Sequence, residues 1–171
     1  MTKFLLAVHV LAAIVAIGPV TVAASMFPPA ARRALAAPDD ARAAETVQLL
    51  HRICRVYAGV GIAVPVFGFL TAGAMGVLGD AWLIASVVLT VLAALVLVVL
   101  VLPRQEILAE GTTGDGSGTG AGSSTGTGGT ATHEATRAAT VQLAMFTGIF
   151  NLLWATVTVL MIVRPGSTTG A

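Results

Sequence analysis

Three histidines and one cysteine are the side chains of this sequence best suited to hold a metal or a haem, and they are unevenly placed. His9 stands inside FLLAVHVLAAIVAIGPVTVAASMF, residues 4–27, a stretch otherwise almost wholly apolar. An imidazole there offers one nitrogen lone pair, enough for a single copper bond or one axial bond to haem iron. An ionisable group inside a membrane span is a functional candidate by default, because its charged form is expensive at depth. The competing reading is a neutral imidazole, hydrogen-bonded to a neighbouring helix and serving packing alone. His51 and Cys54 are three apart, so on a helix they share a face and form a possible metal-ligand pair. His133 and Glu134, just before the last apolar run, are placed to complete it, whereas Arg52 and Arg55 beside the pair repel a divalent cation. Asn151 is a second polar group in apolar surroundings, near the centre of that last run.

Other chemistry finds no footing. No Ser, His and acid arrangement suggests a hydrolase, and no carboxylate pair lies within an apolar run, so nothing points to an enzyme. The Gly-rich stretch GTTGDGSGTGAGSSTGTGGTAT, residues 111–132, lacks the Lys-Ser or Lys-Thr pair and the preceding strand of a phosphate-binding loop. A net charge of +1 with no basic patch interleaved with aromatics excludes a nucleic-acid partner. Cys54 is the only cysteine, so no disulfide forms within the chain.

The elements that must carry these residues are set by composition. The chain has 171 residues, 56% hydrophobic and 10% charged, with mean hydropathy +0.92, too little charge to cover a soluble domain. Four apolar runs, residues 4–27, 56–78, 82–102 and 141–163, are each about the length a helix needs to cross a hydrocarbon core of about 30 Å. The expectation is one all-α domain over residues 1–171, a bundle of four antiparallel transmembrane helices with the lipid bilayer as its surroundings. Lys3, the apolar core and VAAS at residues 22–25 also have the anatomy of a secretory signal cleaved after Ala24. Arg32 and Arg33 just beyond oppose export of the downstream chain, which favours retention of the first run as a span.

Charge sets the expected orientation. Arg32, Arg33, Arg42, Arg52 and Arg55 lie between the first and second runs, and Arg104 and Arg137 flank the third connection, leaving Lys3 and Arg164 at the termini. The positive-inside rule then makes loops 28–55 and 103–140 cytoplasmic and puts both termini outside. In the first connection Asp39 or Asp40, after Pro38, can cap a helix that carries Val47, Leu50, Cys54 and Tyr57 on one face. The turn LGDAW at residues 78–82 makes the second and third runs a tight hairpin, with Trp82 as an interfacial anchor. Residues 111–132 have too little apolar surface to offset ordering entropy and are expected to be a disordered cytoplasmic tether.

Because lipid tails are as apolar as leucine, membrane helices associate through small residues and occasional hydrogen bonds. Stripes expected to meet are His9, Ala12, Ala13, Ala16 and Ala23 on the first helix, and Gly61, Pro65, Gly68, Ala72, Gly76 and Gly79 on the second. On the fourth the stripe is Ala144, Gly148, Asn151, Ala155 and Thr158. The third, bulky all round, is expected to be the most lipid-exposed. Pro19 has no N–H, so the carbonyl of Val15 loses its helical donor near the Gly18-Pro19 kink, and the Asn151 amide is expected to supply one. His9 lies toward the outer face and His51 toward the cytoplasmic one, so they cannot hold one iron between them across a core of about 30 Å. A single ligand from His9, or a dimer with two copies of it, remains.

HVLAAIVAIGP, residues 9–19, resembles the first helix of a group of small bacterial four-helix membrane proteins. These are predicted integral membrane proteins of unknown function, distantly similar to the copper-resistance D type membrane domain. In that pattern a His opens a stretch of small and apolar residues ending in Gly, matched by His9 and Gly18; the Trp often found before that Gly is absent, with Ala16 and Ile17 in its place. The resemblance covers residues 1–30 and the four-helix plan. It implies a bacterial plasma membrane protein and makes copper or haem the cofactors to look for at His9.

Three roles emerge as expectations: a structural or accessory protein that associates with another membrane protein or with itself; a metal- or haem-binding protein using His9; and a small transporter subunit working around Gly18, Pro19, Pro65 and Asn151. Reporters fused after Arg164 and within residues 111–132 are expected to label opposite faces of the membrane. Labelling on the same face would mean that the fourth run does not span.

Overall fold

The computed structural model describes residues 2–112 and 128–166, and among them every regular element is helical. The helices are α1 (Thr2–Ala36), α2 (Ala41–Val60), α3 (Ala63–Met75), α4 (Ala81–Leu95), a π-helical stretch (Val96–Val101), α5 (Leu102–Thr112) and α6 (Gly128–Val163). Four continuous stretches are long and apolar enough to cross a membrane: Lys3–Ala36, Ala41–Met75, Ala81–Thr112 and Arg137–Val163. Each contains one of the apolar runs, in whole or nearly so, and most extend well beyond it. The connections are correspondingly shorter than expected. Residues 28–36 continue α1 through Pro28 and Pro29, residues 41–55 belong to α2, and only residues 37–40 lie between them. Of the Gly-rich stretch 111–132, residues 111–112 end α5 and 128–132 begin α6; residues 113–127, and with them the expectation of a disordered tether, lie outside the described residues.

Local chemistry explains the boundaries. Asp40 caps α2, its Oδ1 accepting from the N–H groups of Arg42 at 3.1 Å and Ala43 at 3.3 Å. Pro65 cannot donate to the Gly61 carbonyl, which instead accepts from Val64 N at 3.1 Å, and this tighter turn separates α2 from α3. Gly76, at φ 72, closes α3 in the left-handed conformation, and the next N–H, of Val77, reaches back to the Ala72 carbonyl at 3.2 Å. Gly76 is therefore a helix terminator rather than a packing residue. The π stretch ends two residues before Pro103, whose missing N–H deprives the Val99 carbonyl of its α-type donor. A wider turn accommodates the ring there, with Leu102 N–H bonded to the Leu97 carbonyl five residues back.

α1 is the hub, packing against α2, α3 and α6, while α4 and the π stretch lean on α6 and α5 leans on α2. The third span, α4 through α5, runs antiparallel to α6 and is pinned to it at both ends. The Arg104 guanidinium lies over the Phe146 ring at 4.4 Å, and that of Arg164 lies 5.7 Å from the Trp82 ring centre. At 1.5 Å per residue the two pairs are about 30 Å apart along the helices, the thickness of a hydrocarbon core. Trp82, buried at 8% exposed, also donates its indole N–H to Asp80 at 2.9 Å.

Two expectations about packing are corrected. The third span is the most buried of the four, with 28% of its most apolar window inside the protein, against 11% for the second and 17% for each of the others. Trp82, Leu83, Ser86, Ala93, Val96 and Leu97 face inward, because α4 and the π stretch fill the side of α6 that carries Leu143, Phe150 and Val157. On α6 Leu143, Phe150 and Val157 are buried, while Ala144, Gly148, Ala155 and Thr158 are exposed. The second and third spans meet at their two ends, α2 against α5 and a small cluster around the turn, and part between them. α3 rests on α1 and α4 on α6, and the two share a cluster of Ala72, Val77, Trp82 and Leu83 around their turn.

Phe150 is 1% exposed and Leu152 70%. Phe150→Ala is expected to lower unfolding stability in detergent by about 3 kcal/mol, and Leu152→Ala to change it little. Equal losses would contradict the α6 orientation.

Candidate functional site

His9 is the best-defined polar element of the interior. It is buried, 8% exposed, and its Nδ1 lies 3.0 Å from the Val64 carbonyl oxygen. A carbonyl only accepts, so Nδ1 carries the proton and Nε2 of the neutral ring carries the lone pair. Among the described residues Nε2 has no hydrogen-bond partner. The ring lies against Gly68, where an added Cβ would sit 3.0 Å from His9 Cε1 and 3.4 Å from Nδ1. A side chain at position 68 would therefore press on the imidazole, which would have to give by a few tenths of an ångström. Val64 lies in the first turn of α3, next to Pro65, so the bond ties α1 to α3 at the break that the proline imposes.

The first-helix stripe behaves as expected: Ala16 and Ala23 are buried, and Ala12 and Ala13 half-buried, on the face that carries His9. On the second span Ala72 is buried and Gly61, Pro65 and Gly68 are half-buried, while Gly76 and Gly79 are not packed against a neighbouring helix, with open space around the Cβ position of each. Gly18 likewise has no atom within 4 Å of a Cβ built on it, and the same holds for Gly148. Asn151 does not reach the Val15 carbonyl near Pro19. Its Nδ2 donates to Ser25 Oγ at 3.1 Å, six residues beyond Pro19 along α1, about 9 Å by the helical rise. The structure therefore joins α1 and α6 away from the Gly18-Pro19 region, and Pro65 stands at the His9 contact instead.

His51 and Cys54 share a face of α2, but their surroundings are those of a helix contact. Cys54 is fully buried and accepts from Gln105 Nε2 at 3.6 Å, while Gln48 Nε2 donates to the Ala109 carbonyl at 2.9 Å. These two bonds hold α2 against α5. His51 Nδ1 and Gln105 Oε1 are buried without partners. His133 lies on α6 and its side chain is outside the described residues. Among the described residues no three His, Cys, Asp or Glu side chains come together to hold a metal, so a metal or haem at His9 would rely on a single protein ligand from each chain.

Sequence reasoning missed Val64, Ser25, Gln105 and Thr147. Val64 takes part through its backbone, which no residue type announces. Gln105 comes after Pro103 and Arg104 at the end of a span, where a polar residue reads as surface. Ser25 and Pro29 did carry a signal: a proline four residues after a serine frees that serine's carbonyl and marks an irregular helix wall. No family model, curated protein or solved structure matches this chain.

Gly68→Val is expected to destabilise the protein by about 2 kcal/mol, since the ring it displaces is held by Val64. Combining it with His9→Ala should recover about 1 kcal/mol or more of the summed losses, a coupling expected only for residues in contact. Simple additivity in a denaturation series would show that the ring does not rest on Gly68.

Proposed function

We propose that this chain is a multi-pass protein of a bacterial plasma membrane, with its basic connections in the cytoplasm, and that it acts as an accessory bundle packing against a second membrane protein or another copy of itself. The observation that carries this reading is the outward face of α3. Val66, Phe69 and Leu70 are more than half exposed there, and Gly73 on the same face has open space where a Cβ would stand. This is the span least buried within its own chain. Small residues let membrane helices approach closely, so a glycine on an otherwise bulky outward face suits a helix docking site. His9 in this reading is a buckle that holds α3 to α1 and so presents that face.

A second reading is favoured by the His9 geometry. Metal-ligating histidines usually donate their other ring N–H to a carbonyl or carboxylate, which fixes the tautomer and aims the free lone pair. The Val64 bond does this for Nε2. The resemblance of residues 9–19 to proteins distantly similar to the copper-resistance D type domain supports the same ligand role, for copper or for haem.

Gly73→Leu is expected to abolish a crosslinked complex captured from membranes that contain the wild-type chain, while leaving the isolated protein folded. Recovery of the same complex with the variant would contradict the accessory reading. For the second reading, protein purified in mild detergent from metal- and haem-replete cells should carry stoichiometric metal or a Soret band, lost in His9→Ala. A colourless, metal-free wild type would eliminate it.

A further inference from the structure

We propose that the cleft between α1 and α6, at the basic end of the bundle, binds an anionic phospholipid through its phosphodiester, with an acyl chain running along the groove toward mid-span. The cleft has a volume of about 360 Å³. Its walls include Ser25, Pro28, Pro29 and Arg32 of α1 and Thr147 and Asn151 of α6.

The unfilled hydrogen bonds point to a ligand. Among the described residues the other buried hydroxyls are satisfied by their own helix: Ser86 donates to Trp82 O at 2.8 Å, Thr71 to Phe67 O at 2.7 Å and Thr140 to Arg137 O at 2.9 Å. Thr147, 3% exposed, breaks the pattern, since its Oγ1 is buried and has no partner. Asn151 spends its Nδ2 on Ser25 and leaves a buried Oδ1 without a donor. Pro28 and Pro29 lack the N–H groups that would bond the carbonyls of Ala24 and Ser25 in an α-helix. Unmet polar groups in an apolar interior are costly, and a ligand that meets them recovers that energy.

Charge and shape select the ligand. Arg32 donates Nε to the Pro28 carbonyl at 3.3 Å, and its terminal nitrogens have no partner among the described residues. No carboxylate lines the cleft, so an anion is favoured, and a guanidinium fits phosphate oxygens with two parallel hydrogen bonds. The Thr147 hydroxyl, deeper than Arg32, can donate to a glycerol ester carbonyl, which lies below the phosphate. Arg32 lies beyond the apolar run, at headgroup level, and Ser25 lies about 10 Å deeper. One turn further along the same faces Val22 and Leu152 are exposed, so the polar cleft opens onto surface that suits an acyl chain and not a free anion.

The test is native mass spectrometry of the full chain in mild detergent, titrated with phosphatidylglycerol and with phosphatidylcholine of the same chains, each with and without inorganic phosphate. Wild type should retain phosphatidylglycerol in preference to phosphatidylcholine, unaffected by millimolar phosphate. Arg32→Gln should weaken retention by about tenfold, as expected for loss of a charge-assisted contact. Thr147→Val, which keeps the side chain's shape, should weaken it several-fold and serves as the readout if Arg32→Gln is not monodisperse. Arg33→Gln, exposed and outside the cleft, should bind as wild type. Undiminished retention in both cleft variants, displacement by free phosphate, or equal retention of the choline lipid would overturn the proposal. So would a lipid-free dimer that forms through the cleft and excludes the lipid.

Discussion

Across a hydrocarbon core a polar group would have to find its partner within the protein, and four helices here are long and apolar enough to meet that constraint. With apolar side chains equally content against lipid or protein, the contacts that distinguish one helix arrangement from another are few and polar. Within the apolar runs His9 on the Val64 carbonyl ties α1 to α3 and Asn151 on Ser25 ties α1 to α6, and beyond them, at the basic end, Gln105 on Cys54 and Gln48 on Ala109 tie α2 to α5. Arg104 over Phe146 and Arg164 over Trp82 join the two ends of the third span to α6. Packing then fills in around these fixed points, with Phe27, Leu143 and Phe150 as its largest buried side chains.

The prolines decide where those fixed points fall. Pro65 separates α2 from α3 and so frees α3 to rest on α1 at the level of His9. Pro103 is preceded by the π stretch, in which Val96, Leu97 and Val101 are buried. Pro28 and Pro29 make an irregular wall on α1 opposite Thr147 and Asn151. Each removes a backbone donor, and each lies beside a contact or cleft that sets the bundle's character. The result is two ends of different chemistry: one with arginines and a polar cleft, the other with an imidazole held against glycine.

Much of this was legible in the chain, for identifiable reasons. Spans announce themselves because a hydrocarbon core of about 30 Å demands long apolar runs, and Asp40 as a cap is signalled by its place shortly before VQLLHRICRVY. His9 on a small-residue face was visible because Ala16 and Ala23 recur at helical spacing around it. What stayed hidden was the inward face of a helix that is apolar all round. On α6 the stripe of Ala144, Gly148 and Ala155 suggested contact, yet Leu143 and Phe150 are buried, because α4 offers enough surface to fill against large side chains. In a soluble helix the polar face would have settled the choice; here no polar face exists. Backbone partners, such as the Val64 carbonyl, leave no trace in residue type at all.

The orientation of the His9 ring underlies both functional readings, since the same proton on Nδ1 locks α1 to α3 and bares the lone pair of Nε2. Solid-state nitrogen NMR of histidine-labelled protein in bilayers reads that proton directly, with His9→Asn assigning the signal among the three histidines. The expected result is a His9 resonance pair with Nδ1 protonated and Nε2 bare, and a hydrogen-bond correlation from Nδ1 to the Val64 carbonyl. A ring protonated on Nε2, or a Val64 carbonyl that shows no such correlation, would contradict the tie between α1 and α3 and both readings built on it.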